Sequence, residues 1–139
     1  VFATPNISRG VISVIDLQNW KPLKEIVTDG PGFFMRSHAD SPYAWTDTFL
    51  GKKHDEILLI DKQTLEIAHR LRPSPGKVAG HVEFTRDGRY ALLSVWDRDG
   101  ALVVYDAHSL EEVKRLPMNK PSGKYNVGNK IGYAEGTSH

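Results

Sequence analysis

VISVIDLQNWKPLKEI at residues 11–26, EILLIDKQTLEIAHRL at 56–71 and ALVVYDAHSLEEVKRL at 101–116 decide the fold of this chain. Each runs from an aliphatic stretch into an aspartate, a short polar turn and a second, more polar stretch. The aspartates, Asp16, Asp61 and Asp106, stand forty-five residues apart. A constant interval of that size belongs to blades or solenoid units, each of which covers its apolar faces only by packing on the next.

Working outward from the repeats, residues 11–15, 57–60 and 101–105 predict strands buried on both sides, each ended by an aspartate suited to a turn. Leu17, Leu65 and Leu110 are expected at equivalent places after it. Pro22 to Ile26, Glu66 to Leu71 and Glu112 to Leu116 are less apolar and predict outer strands. TLEIAHRL and SLEEVKRL taken alone also fit a helix, but the repeat context argues for strands. Upstream of the last two repeats lie further pairs, Phe33 to Arg36 before Tyr43 to Thr46 and Val78 to Phe84 before Tyr90 to Trp96. The turn formers Asp40-Ser41-Pro42 and Arg86-Asp87-Gly88-Arg89 join them.

Four strands per unit make a blade, so the expected fold is all-β, with about three four-stranded blades of a β-propeller. Gly123 to Val127 predicts one more strand, either opening a further blade or completing the first. Closed rings take about four to eight blades. Residues 1–139 are therefore expected to be a segment of a longer propeller domain, its open flanks covered by the remaining blades or by another subunit.

A formal charge of +1 with 25% charged residues gives no basic surface for nucleic acid, and no apolar run approaches the ~20 residues of a membrane-spanning helix. Cysteine is absent, which excludes disulfides, thiolate nucleophiles and covalent c-type haem attachment within this stretch. No HExxH, GxSxG, P-loop or GxGxxG pattern occurs, and no metal site is expected. Gly30-Pro31-Gly32, Pro75-Gly76-Lys77 and Ser122-Gly123-Lys124 precede strands rather than helices, so they read as turns and not as phosphate loops.

In a propeller the first strand of each blade lines the central channel. The windows Phe33 to His38, Gly76 to Val82 and Pro121 to Tyr125 then hold the candidates, with Arg36, His38, His81 and Lys124 as their polar members. His54, His69 and His108 fall in connections or outer strands and read as exposed. His38 precedes a turn, so its ring fits either a bond to a turn carbonyl or a contact in the pocket. His81 stands between Gly80 and Val82 in an apolar strand. It fits either a hydrogen bond in the core or proton transfer near neutral pH, with Gly80 allowing close approach of a backbone or a ligand.

GPGFFMRSHADSPYAWTD at 30–47, KVAGHVEFTRDGRYALLSVW at 77–96, GALVVYDAHSLEEVKRL at 100–116 and KPSGKYNVGNK at 120–130 together resemble the C-terminal part of the cytochrome d1 haem domain. The resemblance implies about three blades of an eight-bladed propeller that holds haem d1 non-covalently in its central pocket. It implies a periplasmic protein tied to denitrification. By position in the family's motifs, Phe34 packs on the macrocycle, and Arg36 and His38 on the same strand are further contacts. Ser122 offers a hydroxyl and Gly123 a backbone N–H to a haem carboxylate, while Lys124 adds positive charge.

The family's glutamine in the second inner strand is His81 here, and Ala3-Thr4-Pro5-Asn6 replaces a histidine-ended motif. Imidazole can accept a proton where an amide cannot. This departure points toward the maturation branch, in which an intact oxidoreductase converts dihydro-haem d1 to haem d1. His81 would be the catalytic acid/base, and electrons would pass to a haem c in a domain outside this chain or to a cytochrome partner. The isolated segment is expected to be inactive. A cytochrome cd1-type nitrite reductase, a haem d1 carrier without catalysis and a protein-binding propeller are the alternatives.

Overall fold

The structure, a computed structural model, describes residues 1–124, so Tyr125 to Val127 of the expected last strand lie outside it. The described residues form eleven strands and no helix. In chain order the first seven are β1 (Phe2–Pro5), β2 (Val11–Ile15), β3 (Pro22–Val27), β4 (Met35–Ser37), β5 (Tyr43–Asp47), β6 (Ile57–Asp61) and β7 (Ile67–Leu71). The others are β8 (Ala79–Phe84), β9 (Tyr90–Val95), β10 (Ala101–Asp106) and β11 (Glu112–Pro117). They build three antiparallel sheets, ordered β1-β2-β3, β4-β5-β6-β7 and β8-β9-β10-β11.

The recurring aspartate is the device that closes each β2-β3, β6-β7 and β10-β11 hairpin. The N–H groups of Asp16, Asp61 and Asp106 donate to the carbonyls of Lys21, Glu66 and Glu111 at 2.9 Å each. Their own carbonyls accept the N–H of Trp20, Leu65 and Leu110 at 2.8–2.9 Å. One carboxylate oxygen of each caps the turn, receiving the N–H of Gln18, of Gln63 and Thr64, and of His108 and Ser109. These bonds hold the Asp61 and Asp106 carboxyls below the ordinary value. Four residues after each aspartate, Trp20, Leu65 and Leu110 take left-handed backbone with φ of 58°, 56° and 62°. A strand bulge accompanies each turn, at Val14/Ile15, Leu59/Ile60 and Val104/Tyr105. Trp20, not Leu17, is thus the equivalent of Leu65 and Leu110. Its place is set by the hydrogen bond back to the aspartate, whatever the side chain.

Hydrophobic packing joins the sheets in sequence. Ile12, Val14 and Ile26 of the first meet Ala44, Leu58 and Ile60 of the second. Trp45, Ile57 and Leu59 on the other face of the second meet Val82, Phe84, Leu93, Val103 and Tyr105 of the third. Of the three strands expected to be buried on both sides, only β6 is so, because only the middle sheet has a described sheet on each face. β2 and β10 instead alternate buried with half-buried residues. The helix that TLEIAHRL and SLEEVKRL allowed is replaced by β7 and β11, and the outer strand β11 is exposed throughout.

The expectation of three four-stranded units needs one correction: the first sheet has three strands among the described residues. β1 corresponds to the second strands β5 and β9, since it pairs with the aspartate strand β2. No described strand lies on its channel side, where β4 and β8 stand in the other two. Those two inner strands, β4 and β8, contact one another directly. The three sheets are consecutive blades.

Apolar side chains remain uncovered on the outer sheets, Val27 at 75% exposure and Val113 at 50% among them. The isolated segment is expected to self-associate and to unfold without a sharp transition, because a terminal blade without its neighbour leaves apolar surface in water. Sedimentation velocity and thermal melting of the segment check this. A cooperative monomer would mean that the missing blades are dispensable for folding.

Candidate functional site

The site grows from a buried aspartate that sequence reasoning did not single out. Asp47, the last residue of β5, is 1% exposed. Its Oδ1 accepts the N–H of Phe33 at 2.7 Å and of Phe49 at 3.3 Å, and Oδ2 accepts the N–H of Phe34 at 3.2 Å. The backbone N–H of His81, from the next blade, also faces this carboxylate and favours its charged form. A buried charge persists only where its lone pairs are satisfied, and the main-chain donors of Phe33, Phe34 and Phe49 do that here.

His81 reaches Asp47 because β8 is bulged. Gly80 pairs with Ser94 and Glu83 with Leu92, so His81 and Val82 together oppose Leu93. His81 has φ of 55°, left-handed backbone for a residue with a side chain. Bulges of this kind re-aim a side chain, and the His81 ring meets that of Phe34 with centroids 3.5 Å apart and planes tilted by 49°. Gly80 is needed for the approach of the Asp47 side: a Cβ there would stand 3.0 Å from both Asp47 Oδ2 and Phe49 Cδ2. The close contact anticipated at Gly80 is thus made by the neighbouring blade's carboxylate.

Two cavities flank the ring pair. The larger, about 710 Å³, is lined by Phe33, Phe34, Met35, Arg36, His81, Glu83, Gly123 and Lys124, and by residues of β1. The smaller, about 260 Å³, lies among Phe33, Phe34, Phe49, His81, Trp96 and Ser122. Phe33, Phe34 and His81 line both and form the wall between them.

Charge in the larger cavity is mostly positive. Arg36 pairs with Glu83 at 3.6 Å, both side chains being less than a fifth exposed. Lys124 Nζ donates to Ser94 Oγ at 2.6 Å, and Ser94 Oγ donates to the Ser122 carbonyl at 3.2 Å. Burial pushes the Lys124 ammonium down to about 8, against the pull of Glu83. Burial, with help from Lys124 and Arg36, also lowers His81 below the ordinary imidazole value. Burial thus favours the neutral ring, which donates from one nitrogen and accepts at the other. Asp47 is pushed up to about 6 by burial, opposed by the backbone donors of Phe33, Phe49, Phe34 and His81.

The structure thus brings Phe34, Arg36, His81 and Gly123 together on one cavity and sets Ser122 on the other. His38 lines neither. Its Nδ1 accepts the Asp40 N–H at 3.2 Å, which leaves Nε2 to donate to the Arg86 carbonyl at 3.0 Å. It ties the β4-β5 turn to the β8-β9 turn, the first of the two roles its position allowed. His54 bonds the Gly76 carbonyl at 3.4 Å, and His69 and His108 are exposed. No group of three or more His, Asp or Glu among the described residues is placed to hold a metal. No described helix is long and apolar enough to cross a membrane.

Blades with this inner-strand site agree with what the chain resembles among known proteins. Its sequence matches the cytochrome D1 heme domain family over residues 1–130, and the chain belongs to that family. It is 32% identical over 119 residues to Protein NirF of Pseudomonas aeruginosa and 34% identical over 120 residues to Protein NirF of Stutzerimonas stutzeri. Each match covers 86% of this chain and 29% of the NirF protein, so the chain spans under a third of those relatives. Hydrazine synthase of Kuenenia stuttgartiensis shares the fold at a TM-score of 0.72 and 18% identity, over 84% of this chain and 34% of the other.

The residues present fit haem d1, the group this family is known by. Arg36, Lys62 and Lys124 line the larger cavity with Glu83 as its single carboxylate among the described residues, an excess of positive charge suited to a ligand carrying carboxylates. Phe33, Phe34 and Met35 give the cavity apolar side chains on which a macrocycle can pack.

The raised pKa of Asp47 has a sign that can be measured. Its folded value of about 6 stands above the ordinary 3.8, so the folded protein holds more protons between those limits. Stability contributed by this group is then lost as pH rises through that window. In an Asp47→Asn variant of the intact protein, urea unfolding between pH 4 and 6 is expected to lose this fall, changing the slope by up to ~1.4 kcal/mol per pH unit. Parallel profiles for the two proteins would show that Asp47 titrates alike folded and unfolded.

Proposed function

We propose that this segment supplies one wall of a haem d1 pocket in a periplasmic protein of haem d1 maturation, and that the intact protein dehydrogenates a dihydro-haem d1 precursor. The observation that carries this reading is an imidazole on a strained bulge, held against Phe34 in the wall of a cation-rich cavity. The tetrapyrrole, when bound, supplies the electron sink. Of the two protons lost as the side chain is oxidised, His81 takes one and the other leaves to solvent, while Phe34 gives the packing surface and Arg36 and Lys124 draw the carboxylates. Ser122 and Gly123 orient the ligand. His38 keeps the turn it already holds. Histidine in place of the family's glutamine favours this reading over a nitrite reductase, because only the imidazole exchanges a proton near neutral pH.

The activity needs an electron outlet, assigned to a haem c or cytochrome outside this segment. The remaining blades, or another subunit, close the ring and supply the other walls of the pocket.

Changing His81 to Gln in the intact protein is expected to slow conversion of bound precursor by ~10²–10⁴-fold, the usual contribution of a positioned acid/base. Binding, measured by separate titration, is expected to stay within about threefold, since the amide keeps a hydrogen-bonding group in place. Equal single-turnover rates would remove His81 from the reaction. Binding without conversion in either protein would make the molecule a carrier.

Lys124 gives a second check. Because its ammonium already loses its proton near pH 8 in the free protein, affinity for the anionic ligand falls as pH rises above that point. The fall is at most about tenfold per pH unit, and an intact Lys124→Met protein lacks it. Equal affinity from neutral to strongly alkaline pH in the unmodified protein would take Lys124 out of carboxylate binding.

A further inference from the structure

The Asp47 carboxylate touches the main chain of both rings of the site. Its donors are the N–H groups of Phe33 and Phe34 leading into β4 and of Phe49 just after β5, and on the other side the main chain of β8 packs against it, a Cβ at Gly80 standing only 3.0 Å from Oδ2, with the His81 N–H facing it. Phe34 and His81, one on each side, are the residues whose rings meet at 3.5 Å. The His81 N–H sits where the bulge interrupts the regular pairing of β8 with β9. Left-handed backbone at a residue with a side chain persists only when its surroundings over-determine it, and the Asp47 carboxylate packed against Gly80 and His81 is such a constraint. Asp47 itself lines neither cavity.

We propose that Asp47 is a positioning residue: its carboxylate holds the main chains of Phe34 and His81 together across two blades and so presents the imidazole to the larger cavity. The inference rests on the reading of His81 as the acid/base. The geometry leaves Asp47 no contact with the ligand, so its effect on the reaction passes through His81. A carboxylate that only filled a polar hole between blades would alter stability alike whether or not His81 were present.

The test uses the intact protein in four forms: unmodified, Asp47→Asn, His81→Gln and the double variant. Asparagine keeps the volume but replaces one acceptor oxygen with an N–H₂ group that opposes the backbone donors. Expected is a loss of conversion of about tenfold or more in Asp47→Asn with precursor binding within about threefold, and no further loss when the same change is made in His81→Gln, as for two residues acting as one unit. Equal losses in both backgrounds would overturn the proposal. A second readout does not need activity. With ¹⁵N-histidine labelling, the His81 backbone amide, identified by its absence from His81→Gln, is expected to move to higher field in Asp47→Asn as the carboxylate that faces it is lost. An unmoved resonance would overturn the proposal. Gly80→Ala covers the case of an Asp47 variant that does not fold, because the added methyl displaces the carboxylate without removing it, and the same shift is expected there. If the unmodified protein converts nothing, the activity reading fails, and the His81 resonance alone decides for or against the clamp.

Discussion

A blade has two faces, and this chain covers both only where another blade stands on each side. The middle sheet is the case that meets this condition: Leu58 and Ile60 point to the first blade, while Ile57 and Leu59 point to the third, and all four are 2% exposed or less. At ~25 cal/mol per Å² of apolar surface removed from water, that alternation makes packing between blades the main source of order. Everything at the site inherits it. β4 and β8 come side by side because the sheets behind them are packed, and the Phe34 and His81 rings belong to different blades that meet along this seam.

Much of this was legible in the amino-acid sequence, for physical reasons. Aliphatic runs ending at a regularly spaced aspartate leave few options, and residues 57–60 could only be a strand with two covered faces. Leu17 misled because the turn selects by hydrogen bonding to Asp16 and not by side chain, so a tryptophan fills the place that leucine takes in the other repeats. The rank of β1 in its blade was not fixed by the sequence either, because it carries the same alternation whichever rank it occupies.

At the site, Phe34, Arg36 and His81 could be found from the rule that first strands line a propeller channel. Asp47 could not. An aspartate at a strand end ordinarily reads as a turn residue, and its partners are main-chain N–H groups, which no residue letter records. The one available signal was the polar run Thr46-Asp47-Thr48 beside Trp45, three hydrophilic residues that are each at most 1% exposed. His38 was the opposite case: it lies on the right strand by position, yet Asp40 and Arg86 take both its ring nitrogens.

The bulge in β8 also bears on how such a chain can change over time. In a regular ladder, adding or removing one residue turns every later side chain to the opposite face, and a buried blade does not survive that. Here His81 and Val82 share the place of one residue opposite Leu93, and pairing resumes at Glu83 with Leu92. The length change is absorbed within two positions. A blade built this way can acquire or shed a residue that faces the channel while its core on either side keeps its register. Position 81 is thus a place where the residue facing the cavity can differ without any exchange of the residues that hold the fold.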